Sequence, residues 1–318
     1  MTRSVDLDPV ALRTLAAVIR AGTFDGAAQA LRVTPSAVSQ RVRGLERQVG
    51  RVLVLRTKPV EATPAGQVLL RLARQTDLLE QEALAALTGQ GGAAAGEGPG
   101  EARARLADAD LPHAEIPVVV NADTLAAWLL PALAEVQRSH RVTFELLRED
   151  EGHSTELLRQ GQVMAAVTSD PRPVQGCRVV RLGVLRYLPV ATPAFLARWL
   201  PEGPRPAELA RAPMISYDRK DTQQEEMLRR LTRQRLAPPT SYIPSSHEFD
   251  EAVRLGIGWG MLPEAWIRAD LASGRLVPLA DRYQDVTSYW QHWALDSPLL
   301  DALTAAVLRA ARHGLAPG

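Results

Sequence analysis

Residues 34–50 read TPSAVSQRVRGLERQVG, and this stretch decides the fold of the N-terminal part of the chain. Its apolar side chains recur at spacings of four, three and four, at Val38, Val42, Leu45 and Val49. Polar side chains recur with the same spacing, at Ser36, Gln40, Arg43 and Arg47. At about 3.6 residues per turn, the two sets lie about half a turn apart. The pattern predicts a helix that buries one side and presents hydroxyl, amide and guanidinium groups on the other.

Two further helices are predicted upstream of this stretch. Asp8 and Pro9 suit the cap and first position of a helix that Gly22 ends, and Thr23 or Asp25 suits the cap of a second, alanine-rich helix. A short helix followed by one with a polar outer face is the arrangement of a helix-turn-helix that reads double-stranded DNA. The sequence therefore predicts a DNA-binding domain near the N-terminus.

The charge distribution favours the same interpretation. Residues 1–60 contain ten basic and four acidic side chains, an excess of six positive charges in a chain whose net charge is +1. Residues 52–55 and 57–61 predict a two-stranded wing. Base edges or phosphates are the expected contacts of Ser36, Ser39, Gln40 and Arg43. Phosphates are the expected contacts of Arg41, Arg51, Arg56 and Lys58. The alternative is an arginine-rich surface that is merely solvated.

Composition excludes several classes of protein. A single cysteine, Cys177, leaves no internal disulfide, and the histidines show no metal-ligand spacing, so neither a metal nor a cofactor is expected. No apolar run approaches the roughly 20 residues that span a bilayer, and no export signal is recognised at the N-terminus. A cytoplasmic location is the expectation.

A fourth helix is predicted from Thr63-Pro64 to about Leu87. It carries a heptad seam that suits pairing with a second copy of the chain. The seam consists of Leu69, Leu72, Thr76, Leu79, Ala83 and Ala86. The alternative is that this helix packs on its own domain. Residues 89–100 (GQGGAAAGEGPG) then have the composition of a flexible linker.

Residues from 116 onward alternate short apolar runs with helical stretches, which predicts α/β units. Strands are predicted at 116–120, 143–147, 163–168, 184–190 and 289–295. Helices are predicted at 123–139, 155–160, 193–199, 222–234, 246–255 and 299–312. The predicted domains are a winged helix-turn-helix (1–63), a linker and dimerisation helix (64–88), a flexible linker (89–115) and an α/β domain (116–318, second lobe about 186–285).

Several segments resemble one known family. The N-terminal ones are VTPSAVSQRV at 33–42, RTKPV at 56–60 and TPAG at 63–66, together with Phe24, Ala27-Ala28 and Leu45-Glu46. The C-terminal ones are VNADTLAAW at 120–128, EDE at 149–151 and YWQHW at 289–293. In order and spacing the chain resembles the LysR-type transcriptional regulators, and within them the LysG/ArgP branch that senses basic amino acids. Pro35-Ser36 replaces the Gln-Pro common in the family, so Ser36 is the first expected base contact.

The resemblance implies both a fold and a function. The fold is a multidomain one: an all-α winged helix-turn-helix, a long linker helix and a periplasmic-binding-protein-like α/β effector domain, with a small-molecule cleft between its two lobes. The function is regulation of transcription by a homodimer or homotetramer on a DNA operator, with lysine as first effector and arginine as second. Activation of an amino-acid exporter gene and contact with RNA polymerase are also implied.

Candidate ligand-binding residues follow from where strands end and helices begin. Asn121, Asp123 and Thr124 follow a strand and open a helix, so backbone N–H groups there suit an α-carboxylate. A cationic side chain needs carboxylates and aromatic faces. The remaining candidates are Glu149, Glu151, Thr168, Asp170, Tyr217, Ser246, Glu248 and Trp290. For each one the alternative is ordinary: a helix cap, a solvated acid or a core aromatic.

Two other classes of protein compete with the regulator. One is an enzyme-like cleft fused to a DNA-binding module, but the sequence has no Gly-x-Ser-x-Gly elbow and no phosphate-binding glycine loop. The other is an architectural DNA-binding protein without a small-molecule effector. The size of the C-terminal half, which exceeds what dimerisation needs, argues against it.

Overall fold

The computed structural model describes residues 6–87, 113–149 and 154–316. These form two compact units. Unit 1 comprises residues 1–120, 133–179 and 290–306, and unit 2 comprises residues 121–132, 180–289 and 307–318. The predicted linker at 89–100 and the candidate Glu151 lie outside the described residues. None of the helices in the described part has the length and apolar composition to cross a membrane.

The three predicted N-terminal helices are present in unit 1 as α1 (Pro9–Ala21), α2 (Phe24–Leu31) and α3 (Pro35–Val49). Each begins at a predicted cap: the side chains of Asp8, Thr23 and Thr34 accept backbone N–H groups of the first turn. The apolar stripe of α3 is buried, with Val38, Val42 and Leu45 in the core. Burial of this stripe fixes which face of α3 points outward.

The wing is shorter than the sequence predicts. Strands β1 (Val54–Leu55) and β2 (Glu61–Ala62) pair antiparallel over two residues each. Residues 56–59 form the turn between them, where the Thr57 hydroxyl donates to the Pro59 carbonyl at 2.7 Å. The Val60 N–H donates to the Gly22 carbonyl at 2.8 Å. This bond anchors the wing to the turn between α1 and α2.

Helix α4 (Pro64–Leu87) begins in the core of the winged helix. Leu69, Leu70 and Ala73 are buried there, so α4 is an integral part of this domain. The predicted heptad seam is therefore wrong at Leu69, which packs against its own domain. Leu72 stays 37% exposed and Leu79 40% exposed. The first residue of the predicted seam is thus buried in the winged-helix core, while Leu72 and Leu79 remain exposed.

The rest of unit 1 is an α/β layer. Strand β3 (Ala114–Val120) lies between β4 (Val142–Arg148) and β5 (Ala165–Thr168), and both pairings are parallel. The predicted helix at 123–139 is interrupted. It consists of α5 (Ala122–Thr124), a π-helical turn (Leu125–Leu129) and α6 (Leu130–Ser139). Pro131, which lacks an amide N–H and crowds the carbonyl one turn earlier, accounts for the break.

The remaining elements complete both units. Unit 1 also holds α7 (Ser154–Arg159). Strand β6 (Cys177–Ala191) passes from unit 1 into unit 2 and pairs antiparallel with β9 (Gly260–Pro263) and β10 (Val277–Pro278). The other strands are β7 (Met214–Ser216), β8 (Thr240–Tyr242) and β11 (Gln284–Trp293). The other helices are α8 (Pro193–Trp199), α9 (Pro206–Leu209), α10 (Gln223–Thr232), α11 (Ser246–Arg254), α12 (Glu264–Ser273) and α13 (Pro298–Gly314).

All the predicted C-terminal strands and helices lie at or near their predicted places. The sequence analysis missed β7 to β10, α9 and α12. The strands among them span two to four residues, too short for an alternating pattern to stand out. The core of unit 2 is built largely from these elements and α11, around Ile215, Phe249, Leu262 and Ile267. This core positions the cavity around Asp123.

Candidate DNA interface and effector site

The outward face of α3 carries the predicted base-reading residues. Ser36, Gln40, Arg43 and Arg47 are exposed, and Ser39 and Arg41 are half-buried at the edge of the face. Because the opposite stripe is packed in the core, this polar face is held outward as one surface. Amide and guanidinium groups suit bidentate contacts with base edges in a major groove, which is wide enough to admit a helix.

The wing adds cationic groups to the same domain. Arg51, Arg56 and Lys58 are exposed, as expected of phosphate contacts. The Arg56 guanidinium lies 5.5 Å from the centroid of the Phe24 ring, a cation–π contact that restricts where this side chain extends. The tertiary structure thus orients one of the four predicted phosphate contacts through an aromatic residue of α2.

Asp123 is the central group of a small cavity in unit 2. It accepts a hydrogen bond from the Tyr187 hydroxyl at 2.6 Å and another from the Ser246 hydroxyl at 2.7 Å. Burial raises the pKa of Asp123, although the two hydrogen bonds act in the opposite direction. The nearby charge of Asp221 raises the pKa of Asp123 further. The carboxylate is therefore fixed in direction and short of positive charge.

Asp221 supplies a second carboxylate to this cavity. It accepts from the Ser216 hydroxyl at 3.2 Å, the Tyr217 N–H at 3.0 Å and the Gln223 N–H at 2.9 Å. These bonds hold it just before α10. All three donors are neutral, and among the described residues Asp221 forms no salt bridge, so its negative charge is hydrogen-bonded but not neutralised by a cation there.

The cavity that these two acids share has a volume of about 310 Å³, including space that is open to solvent. Its other lining residues are Tyr217, Gln223, Gln224, Ser246, Phe249, Met261, Leu262, Pro263 and Trp266. No lysine, arginine or histidine is among the lining residues in the described chain. Two carboxylates facing aromatic and amide side chains, without a countercharge, form an environment that stabilises a cation.

The turn at the start of α5, predicted to bind a carboxylate, has fewer free N–H donors than expected. The Thr124 N–H donates to the Asn121 side-chain oxygen at 2.7 Å, so a cap already uses this donor, and Thr124 is buried. The expectation that Asn121 and Thr124 offer free donors to a ligand is therefore wrong for the Thr124 amide. Ordinary helix capping explains both residues.

The remaining candidates do not line this cavity. Glu248 is exposed, and the Ser245 hydroxyl donates to it. Unit 1 holds Glu149, Thr168, Asp170 and Trp290. Of these Glu149 is exposed, while Thr168 is buried and its hydroxyl oxygen accepts from the Asp170 N–H at 3.1 Å.

Asp170 and Trp290 have structural partners of their own. Asp170 forms a salt bridge of 3.0 Å with Arg172, which holds the pKa of Asp170 below its usual range. Trp290 is fully buried and donates from its indole nitrogen to the Thr304 hydroxyl at 3.0 Å. The expectation that Trp290 walls a ligand site is wrong, because in this structure it is a core residue.

Among the residues that sequence reasoning missed are Asp221 and Trp266, which line the cavity, and Tyr187, which donates to Asp123. Tyr187 lies in a strand whose apolar pattern marks it as core, and Trp266 lies on α12, a helix the pattern did not reveal. Asp221 carried a usable signal, since an aspartate directly before the helical run TQQEEM suits an N-terminal cap. Its position beside Asp123 depends on tertiary packing.

Two family models match the chain. Residues 10–67 match the bacterial regulatory helix-turn-helix protein, lysR family, and residues 109–312 match the LysR substrate binding domain. The first match contains α1 to α3 and the wing. The second contains the cavity around Asp123.

Full-length relatives agree with these matches. The chain is 44% identical to the HTH-type transcriptional regulator LysG of Mycobacterium bovis, covering 98% of this chain and 96% of LysG. It is 43% identical to the lysine export transcriptional regulatory protein LysG of Corynebacterium efficiens, covering 97% and 99%. Its fold matches that of full-length LysG from Corynebacterium glutamicum with the bound effector arginine, at a TM-score of 0.74, 37% identity and coverage of 98% and 100%. Since family models match both halves and these full-length relatives are transcription regulators, the chain belongs to the LysR family of DNA-binding transcription regulators, in the group that includes LysG.

Proposed function

We propose that this regulator responds to a basic amino acid, lysine or arginine, and controls a gene for an amino-acid exporter. The cavity of unit 2 carries the proposal. Asp123 and Asp221 present two carboxylates to one space whose described lining contains no basic side chain. A ligand with an ammonium or guanidinium group supplies the missing positive charge.

The aromatic and amide groups of the cavity suit the same ligands. Tyr217, Phe249 and Trp266 offer faces for the methylene chain or the cationic group. Gln223 and Gln224 add polar atoms at the same edge. The names of the relatives support the choice, since one is a regulator of lysine export and another is a LysG with bound arginine.

The DNA-binding half carries the output of the proposed regulator. The outward groups of α3 and the basic residues of the wing provide base and phosphate contacts, and binding should weaken steeply with salt because cations are released from the duplex. The domain division at 1–63, 64–88, 89–115 and 116–318 belongs to the proposal, with the first two segments acting together because α4 shares the winged-helix core.

A homo-oligomer is also part of the proposal. Along α4, Val68, Leu72 and Leu79 are exposed at 69%, 37% and 40%. Exposed apolar residues along one helix favour pairing with a second copy, which would place two α3 helices on one operator. The contact pairs identical surfaces across a twofold axis. Sedimentation of the full chain and of a Leu72→Glu, Leu79→Glu variant measures this directly.

Calorimetric titration of the full chain with arginine, lysine and citrulline tests the effector. Citrulline has the shape of arginine but a neutral urea group, so it isolates the contribution of charge. Binding of arginine or lysine, with citrulline at least tenfold weaker, is the expected result. Equal affinity for citrulline and arginine would contradict the charge argument, and no binding of either basic amino acid would refute the proposed effector class.

A further inference from the structure

Helix α4 contacts the α/β layer of unit 1 through Arg74, which donates to the Gln162 carbonyl, and through Arg71. The Arg71 guanidinium donates to three backbone carbonyls: Gln175 at 3.0 Å, Leu158 at 3.1 Å and Arg159 at 2.9 Å. Two of these carbonyls belong to the last residues of α7, where helical N–H donors run out; the Leu158 carbonyl also accepts from the Gly161 N–H at 3.1 Å. Arg71 thus satisfies acceptors of two separate segments of the layer.

The space around Arg71 depends on two glycines. Gly161 adopts φ +69°, and a Cβ built on it would lie 3.0 Å from both the backbone nitrogen and the Cβ of Arg71. Gly176, with φ +78°, would place a Cβ 3.5 Å from the guanidinium. A side chain at Gly161 is therefore excluded both by its backbone conformation and by the close approach of α4.

The other end of α4 contacts the same unit through an acid. Glu82 accepts from the Ser297 hydroxyl at 2.6 Å and from the Leu299 N–H at 2.9 Å. The Ser297 oxygen in turn accepts from the Leu300 N–H at 3.2 Å. Glu82 therefore caps the N-terminus of α13 from outside, where a negative charge is favourable.

These two contacts lie eleven residues apart on one helix, a separation of about 16 Å. A cation of α4 meets helix-terminal carbonyls at one end, and an anion of α4 meets a helix N-terminus at the other. Helix α13, which Glu82 caps, has residues 298–306 in unit 1 and residues 307–314 in unit 2. The N-terminal half of α4 lies in the winged-helix core, so displacing α4 displaces α3 with it.

We infer that Arg71 and Glu82 form a clasp that holds α4 on the α/β layer and relays the state of the effector domain to the DNA-reading helices. The relay rests on the proposed effector function. The clasp itself does not, because its contacts are made between residues of the chain alone. A movement of α13 or of the end of α7 changes bonds that α4 makes, and α4 carries the winged helix.

The test uses full-length variants on a duplex selected by the wild-type chain from random-sequence DNA, and on a duplex with one half-site. Arg71→Ala and Glu82→Ala each open one end of the clasp. Gly161→Ala perturbs the Arg71 contact from the other side without altering α4. Glu80→Ala is the matched control, since it removes a carboxylate of the same helix whose partner is Arg13 of α1, at 2.8 Å.

In the wild type we expect arginine to change the full-site dissociation constant by about fivefold or more. In the clasp variants this ratio should fall to within about twofold of one, while half-site affinity and the Glu80→Ala variant stay at wild-type values. Clasp variants that keep the wild-type arginine ratio would overturn the relay and leave the effector proposal standing. A lower unfolding temperature with an unchanged ratio would show a merely structural role.

A wild type on which neither arginine nor lysine has an effect would overturn the proposed effector instead, and the clasp is then judged without ligand. Releasing α4 should change the ratio of full-site to half-site affinity by about threefold or more, because the clasp sets how one winged helix is held relative to the next. A ratio equal to that of Glu80→Ala would refute the clasp.

Discussion

Asp123→Asn is the sharpest perturbation of the candidate effector site. It removes a negative charge while keeping the size of the side chain. The two donors that Asp123 accepts, from Tyr187 and Ser246, are hydroxyl groups that can rotate to suit an amide. The ligand's cation, by contrast, loses the carboxylate that we propose to neutralise it.

The expected effect on binding follows from the burial of this group. Removing one member of a desolvated, hydrogen-bonded charge pair costs about 2 to 5 kcal/mol, so arginine should bind at least about 30-fold more weakly. The free energy of unfolding should change by less than about 1 kcal/mol, because one hydrogen bond is exchanged and a buried charge is removed. The substitution should thus separate ligand affinity from stability.

Isothermal calorimetry with arginine measures the first effect, and urea denaturation without ligand measures the second. Glu248→Gln is the matched control. It neutralises an exposed acid in the first turn of α11, the helix whose Ser246 donates to Asp123, but Glu248 does not line the cavity. The affinity for arginine should therefore stay within about twofold of wild type. If Asp123→Asn binds arginine as tightly as Glu248→Gln does, Asp123 is not the countercharge and the placement of the ligand in this cavity is refuted.

Three further predictions follow from the same contacts. Burial raises the pKa of Asp123, so protonation of Asp123 at low pH stabilises the fold, and this contribution is lost as the pH rises through the raised pKa. A bound cation favours the ionised carboxylate, so the affinity for arginine should fall on acidification through the same pH range. Calorimetry at several pH values should show this fall in the wild type and not in Asp123→Asn. A Cβ on Gly66 would lie 2.0 Å from the Leu53 carbonyl oxygen, whereas one on Gly44 would meet nothing within 4 Å. Urea unfolding should therefore show Gly66→Ala destabilised by about 1 to 3 kcal/mol and Gly44→Ala stabilised by up to about 1 kcal/mol, and equal changes would contradict the packing argument. Arg56→Ala should weaken binding to all duplexes alike and reduce the salt-dependence slope by about one, as anisotropy titrations over a salt series would show; a loss confined to one sequence would mean that Arg56 reads bases.

The helix-turn-helix was accessible from sequence because its signals are local. A cap, a proline, a stripe at helical spacing and a terminal glycine lie within a few residues of one another, and each acts within one or two turns. Helix α3 accordingly begins at Pro35 and ends at Val49, as its pattern indicates. The same pattern separates its buried and exposed faces, because a helix that buries its apolar stripe must turn the opposite face to solvent.

The seam of α4 shows where periodicity becomes ambiguous. Leu69 and Leu72 both belong to the predicted heptad seam, but the first is buried in the winged-helix core and the second is exposed. Periodicity records that a side chain is apolar and not which partner covers it. Periodicity likewise did not reveal the π-helical turn at Leu125–Leu129, which lies just before Pro131.

The candidate cavity also depends partly on local sequence and partly on tertiary structure. The sequence alone determined a winged DNA-reading domain, an α/β effector region and single candidates such as Asp123 and Ser246, because caps and strand ends are written in neighbouring residues. Only the tertiary structure decided that Asp221 joins Asp123 at one cavity and that Trp290 is a core residue. It also decided that Arg71 and Glu82 fasten α4 to residues 87 to 217 positions away. The physical reason is that a charge or a carbonyl acts over a few ångströms of space, whatever the distance along the chain.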